Sequence, residues 1–227
     1  MYRSGDLRWP PGDSKPQVTH EGVEVPEVQP GQLDIIEPSS GTVGRYDSGT
    51  SPPARTVRFS ADKAVGRLRV RSWDESDGAW RRHGDAQGPI ILAAGQILEL
   101  RVEGKGDTDL SSLSTLREDS LHSLVLRGEA ITDEQFSYTT HLTSLQALAI
   151  VSTTVTDEQM ASLPKLRHLR SLNLKGTPVS NATLDILARM RWLRQLDLRD
   201  TGVEKDSLRV LQAALPACII VPKPPLE

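Results

Sequence analysis

Five histidines, one cysteine and a scatter of carboxylates are the residues in this 227-residue chain that could do covalent or acid–base chemistry. Such chemistry needs recognisable spacings, and these are missing. There is no G-x-x-x-x-G-K-[ST], no G-x-G-x-x-G, no H-E-x-x-H and no G-x-S-x-G. Gly104-Lys105-Gly106 is too short to cradle a phosphate. Asp74-Glu75-Ser76-Asp77-Gly78 lacks the D-x-D-x-D-G spacing and distant Glu of a calcium loop, and reads as a turn. Cys218 stands alone, which excludes an internal disulfide framework and a multi-cysteine metal site. It sits beside a terminal apolar strand, where a thiol packs rather than reacts. No catalytic residue, cofactor or metal is expected, and attention passes to surfaces.

The elements that would carry such surfaces fall into three regions. Residues 1–56 hold 8 of the 15 prolines and 7 of the 17 glycines, with 5 basic and 8 acidic residues that supply the whole net charge of −3. A stretch so poor in apolar residues cannot offset its ordering entropy, and a disordered tail is expected. Within it Leu33-Asp34-Ile35-Ile36-Glu37 is an isolated apolar cluster. Residues 57–96 alternate apolar with basic residues, as in Val57-Arg58-Phe59 and Leu68-Arg69-Val70-Arg71, the period of half-buried strands. A small antiparallel β unit follows from this, with Trp73 and Trp80 as its anchors. The balance of 27 basic against 30 acidic residues argues against a nucleic-acid binder. The apolar runs are too short to span a membrane, and residues 1–30 lack a signal-peptide core, so a cytoplasmic protein is expected.

Residues 97–227 carry the strongest signal, a repeat of 24 residues. Leu121, Leu145, Leu169 and Leu193 keep that step, as do Leu124, Leu148, Leu172, Leu196 and Ile220. So do Leu126, Ile150, Leu174 and Leu198. A worn first copy begins at Ile97, Leu100 and Val102. Each repeat opens with L-x-x-L-x-[LI], a strand with one buried face. It continues with apolar residues three apart, such as Leu184, Leu187 and Met190, one face of a helical segment. Thr132-Asp133-Glu134-Gln135 and Thr156-Asp157-Glu158-Gln159 fit the capping box that starts a helix. A strand and a helix in 24 residues cannot bury their apolar faces alone. Stacked copies can, which predicts an α/β solenoid, parallel sheet inside and helices outside, with the 57–96 unit as its cap.

L-x-x-L-x-L at this step resembles the leucine-rich-repeat superfamily, and the L-x-L-x-x-T-x-[VI]-[TS]-[DN] variant is similar to bacterial members and to the repeats that follow F-boxes in ubiquitin-ligase receptors. The resemblance covers about 97–221. It implies a non-enzymatic scaffold that binds another protein, or alternatively a substrate-receptor or effector subunit acting with a ubiquitin-ligase-type machinery. The superfamily usually places Asn or Cys where this chain has Glu129, Thr153, Thr177 and Thr201. A threonine column is expected to bond to neighbouring backbone instead.

On such a solenoid the strand residues between the leucines line the concave face. The expected binding face has a small apolar centre of Val125, Ala147, Ala149 and Val151, with Asn173 and Asp197 beside it and Arg127, Lys175 and Arg199 in one basic column. Five strands at about 4.8 Å spacing give a face about 20 Å across, enough for one partner surface. Charge also segregates by edge. Asp133, Glu134, Asp157, Glu158, Glu204 and Asp206 fall near helix starts; Arg167, His168, Arg170, Arg189, Arg191 and Arg194 fall near helix ends, as helix dipoles favour. Trp192 interrupts this pattern and is expected to stand exposed as an interface anchor. The partner expected is another protein, with no nucleic acid and no membrane.

Overall fold

The structure, a computed structural model, describes residues 17–18, 24–25, 51–75, 79–104, 108–128 and 130–224. The chain divides into two compact units, Met1–Ile35 and Ile36–Glu227. In the first, β1 (Gln17–Val18) pairs antiparallel with β2 (Glu24–Val25). The cluster Leu33–Glu37, most of the expected tail, the turn residues Ser76–Gly78, Lys105, Gly106 and Glu129 lie outside the described residues.

The second unit is mixed α/β with a mostly parallel sheet. It runs through β3 (Arg55–Arg58), β4 (Arg67–Ser72), β5 (Arg81–Asp85), β6 (Pro89–Leu92), β7 (Gln96–Glu103), β8 (Ser123–Arg127), β9 (Ala147–Val151), β10 (Ser171–Asn173), β11 (Gln195–Asp197) and β12 (Ile219–Val221). Eight strands form one sheet in the order β12-β11-β10-β9-β8-β7-β4-β5. From β7 to β12 every pairing is parallel and every register step is 24 residues. Thus Leu100 faces Leu124, then Leu148, Leu172, Leu196 and Ile220. All six are buried, in the row that the leucine spacing anticipates.

The antiparallel strands do not stand apart from this sheet. β4 bonds to β7 along six residue pairs and β5 bonds to β4, so the parallel sheet simply continues. β3 and β6 pair separately, and Arg55 and Thr56 belong to β3, slightly ahead of the expected start. Val57, Leu68, Val70 and Leu92 from these strands, and Phe59 just past β3, join the same core as the repeat leucines.

On the core side, each return segment is short. α1 (Asp133–His141) and α4 (Ser207–Ala214) are two turns long; α2 (Asp157–Met160) and α3 (Leu184–Ala188) are about one turn, extended by 3-10 turns at Leu163–Lys165 and Asn181–Thr183. The capping box forms at α1: the Gln135 amide donates to Thr132 Oγ1, and the Gln135 carboxamide oxygen accepts from the Thr132 N–H, at 3.2 and 3.1 Å. Coils are tied together here as well. Gln159 Nε2 donates to Asp133 in the preceding coil at 2.8 Å, and Asp157 accepts from the Ser180 amide and hydroxyl at 2.9 and 2.6 Å and from the Thr183 hydroxyl.

In four successive coils a residue past the strand row turns the chain in the left-handed region. Gly128 and Gly176 have φ 69°, and Ser152 and Asp200, in the same position of their coils, have φ 52° and 56°. Glycine adopts this conformation at no steric cost; serine and aspartate do not. The amides here continue the ladder beyond the strands, Gly128 to the Val151 carbonyl, Ser152 to Lys175 and Gly176 to Arg199, at 2.9–3.0 Å.

The threonine column behaves differently from the expectation. Thr177 and Thr201 donate to the carbonyls of Leu174 and Leu198, three residues earlier in their own coils, at 2.6 and 2.7 Å. They close their own turns rather than bridging to a neighbour. A hydroxyl on so short a stem reaches the i−3 carbonyl more readily than the next coil.

Candidate protein-interaction face

Alternate residues of each strand leave the core and form rows across the opposite face. One row reads Arg101, Val125, Ala149, Asn173, Asp197, Val221; another reads Glu103, Arg127, Val151. Val125, Ala149 and Val151 make an apolar cluster separate from the main core. Their exposures are 1%, 1% and 5%, so the centre is withdrawn rather than an open patch.

The polar residues beside it have structural tasks. β10 and β11 stop after three residues, and a side chain takes over where the strand ends. Asn173 Oδ1 accepts from the Lys175 amide at 2.9 Å, and Asp197 Oδ1 accepts from the Arg199 amide at 3.0 Å. These are the Asx turns that Asn and Asp form two residues on. Asp197 is fully buried and also holds the Arg199 guanidinium through Nε and Nη2, at 3.0 and 2.8 Å. Arg199 is thus neutralised within its own strand end. Lys175 lies 3.7 Å from Asp200, both substantially exposed. Arg127 is exposed at the end of β8. The expected column of summed positive charge therefore loses Arg199, which is spent on Asp197.

At the β7 end of the face a second buried carboxylate is held. Glu99 meets Arg69 at 3.2 Å and Arg101 at 3.7 Å, and accepts from the Ser123 hydroxyl at 3.1 Å. Beside it, the Arg71 guanidinium lies over the Trp80 ring, 4.9 Å from its centroid, and Trp80 tilts against His122 at 6.3 Å. Trp80 is buried as expected, whereas Trp73 is only half-buried. Burial, with Arg71 and Arg55 nearby, pushes His122 down to about 3, so its imidazole is neutral. Burial likewise pushes the Cys218 thiol up to about 12, against a smaller opposing pull from Arg194. A protonated thiol is a poor nucleophile, and Cys218 packs in the main core.

Trp192 is not the exposed indole expected. It is half-buried against the core, its Nε1 donates to the Leu166 carbonyl at 3.0 Å, and the Arg167 guanidinium covers its ring at 4.9 Å. Its N–H found a carbonyl of the preceding coil, which the residue's position in the repeat could not reveal. Trp192 lies in the loop before β11, on the strand-entry edge, and not with Val125, Ala149 and Val151 on the sheet face.

No family model matches the chain, and no curated protein matches it. Among solved structures, an internalin from Listeria monocytogenes is similar with a TM-score of 0.47 and 23% identity, covering 56% of this chain and 35% of that one. The chain thus spans about a third of that protein's length.

Proposed function

We propose that the chain is a non-enzymatic protein-interaction module, a short leucine-rich-repeat solenoid that engages a partner protein on the sheet face away from its main core. The observation that carries this reading is the sheet face opposite the main core, where Arg127 and Lys175 reach solvent around the withdrawn cluster of Val125, Ala149 and Val151. Charged groups arranged on such a face set partner choice and association rate. The buried carboxylates Glu99 and Asp197, paired with the partly exposed Arg69 and Arg199, favour the same reading, because they hold the flanks in one geometry before a partner arrives. The non-enzymatic part draws support from the two groups most suited to chemistry. His122 is held neutral inside the protein and Cys218 is held protonated.

The test is a double charge reversal, Arg127→Glu with Lys175→Glu. Arg199 is spared, since a glutamate there would face the buried Asp197 carboxylate. Partner recovery from native cells is measured beside circular dichroism and thermal unfolding. Loss of recovered partner with an unchanged melting curve is the expected result. Full recovery with an intact fold would move the binding surface off this face.

A further inference from the structure

The edge at which the chain enters β10 and β11 carries a concentration of positive charge that the fold itself does not call for. The loops 165–170 and 189–194 occupy the same place in consecutive coils. Lys165 and Arg189, Arg167 and Arg191, and Arg170 and Arg194 are each 24 residues apart. The Arg194 amide donates to the Arg170 carbonyl at 2.8 Å, so the two loops are direct neighbours. Three like-charged pairs are thus stacked at about the strand spacing, an arrangement that costs stability through repulsion. The coils on either side do not share it. The same positions hold His141, Thr143 and Gln146 one coil earlier, and Ala213, Leu215 and Cys218 one coil later.

Helix dipoles do not account for this edge once the helices are seen. α2 has four residues and α3 has five, so neither builds a macrodipole able to hold three cations at its end. Among the described residues, Lys165, Arg167, Arg189, Arg191 and Arg194 are exposed and form no ion pair. Two of the guanidinium groups are nevertheless fixed in place. Arg167 lies on the Trp192 ring, and Arg194 Nη1 donates to the carbonyls of Arg191 and Leu193 at 3.2 and 3.0 Å. Each guanidinium carries five N–H donors, so a single tether leaves donors to present outward.

We propose that this strand-entry edge is a second interaction surface, one that takes an extended acidic segment of a partner protein. Fixed guanidinium groups recognise carboxylates through paired N–H donors. In an extended segment, carboxylates on alternate residues recur about every 7 Å on one side, which long arginine side chains on loops one strand spacing apart can splay to meet. The patch is confined to two coils. Nucleic-acid affinity grows with the number of phosphates contacted, and so small a patch on a chain of net charge −3 meets few of them. The proposal rests on the reading of the chain as an interaction module but not on which face of the sheet is used.

The experiment uses the full chain and a fluorescent ten-residue peptide with Glu at alternate positions and Ser between. Anisotropy titrations compare wild type, Arg167→Glu with Arg191→Glu, and Arg127→Glu with Lys175→Glu. Circular dichroism of each variant accompanies them. The expected result is salt-sensitive binding to wild type, weakened about tenfold or more by the edge reversal and unchanged by the reversal on the sheet face. No binding to wild type, or equal weakening by both variants, overturns the edge assignment while leaving the sheet-face reading to its own test. A ten-nucleotide oligothymidine that binds tighter than the peptide overturns the choice of partner. So does concentration-dependent self-association abolished by the edge reversal, which would make a second copy the occupant. Should the edge variant lose its circular dichroism signal, Arg191→Gln with Arg189→Gln gives the same readout without added repulsion, and undiminished binding there refutes the proposal.

Discussion

The first and second halves of the parallel sheet solve one problem in two ways. β7, β8 and β9 run for eight, five and five residues, and β8 pairs with both neighbours along its whole length. β10, β11 and β12 run for three residues each. In β10 and β11 an Asx side chain replaces the ladder bond that the longer strands make. The step of 24 residues and the leucine row are the same throughout. The row facing away from the core therefore changes from Val125 and Ala149 to Asn173 and Asp197 for a backbone reason. Polar residues on a repeat's open face can be caps for the turn as well as contacts for a partner, and only the hydrogen bonds tell which.

The common element should outweigh the difference. Leu172 is buried at the start of the second half, between Leu148 and Leu196. Leu172→Ala is expected to cost about 2–5 kcal/mol, as other fully buried leucines do, measured by urea unfolding. Leu148→Ala in the first half should fall in the same range. A much smaller loss at Leu172 would mean that the short-stranded half is held by its caps and not by its core.

A smaller effect separates the halves directly. Asp197→Ala removes the turn bond to the Arg199 amide and strands the Arg199 guanidinium, at an expected cost of about 1–3 kcal/mol. Asp197→Asn keeps the turn bond, the arrangement that Asn173 uses one coil earlier, and should recover part of that loss. If Asn is no better than Ala, the ion pair and not the cap is what the short strand needs.

Between coils, Asp157 makes an acid-sensitive tie. Partial burial works to raise the Asp157 pKa, but hydrogen bonds from Ser180 and Thr183 outweigh it and hold the carboxyl below its ordinary value of 3.8. A lowered folded pKa gives stability that is complete above the unfolded value and is lost as pH falls through the folded one. Urea midpoints should therefore decline below about pH 5, and Asp157→Asn should flatten part of that decline.

How far the residues announce this depends on whether a feature has a period. The leucine row, the capping box at α1 and the terminal strand at Ile219 were legible because spacing alone fixes them. β5 was not legible: Arg81-Arg82-His83-Gly84-Asp85 is an exposed edge strand with no buried face, so it carries no alternation. The continuity of β4 with β7 was also hidden, since a strand's pattern does not say which neighbour it joins. On the sheet face away from the core, the apolar grouping of Val125, Ala149 and Val151 was legible from spacing, but its withdrawal from solvent was not. The commitment of Arg199 to Asp197 was not, because residues two apart within a strand end look like independent rim charges. The indole of Trp192 was misplaced for a similar reason, its partner being a carbonyl in another coil.

The smallest expected effect concerns the left-handed turn that both halves share. Gly128, Ser152, Gly176 and Asp200 occupy it in successive coils, and the non-glycine residues sit where an L side chain crowds its own backbone. Ser152→Gly relieves that crowding but frees the unfolded chain. The balance should be a gain of at most about 1 kcal/mol, seen as a small rise in the unfolding midpoint. Ser152 also shapes its neighbour, because a Cβ built on Gly176 would come within 3.0 Å of the Ser152 hydroxyl. Gly176→Ala therefore carries two costs, its own φ of 69° and the contact with Ser152. Removing the hydroxyl relieves only the second. In the Ser152→Gly background, Gly176→Ala should destabilise less than it does alone, and the shortfall measures the coupling across adjacent coils. Strict additivity would show that the Ser152 side chain swings aside without cost, and that each turn in the column tolerates its residue independently of the coil beside it.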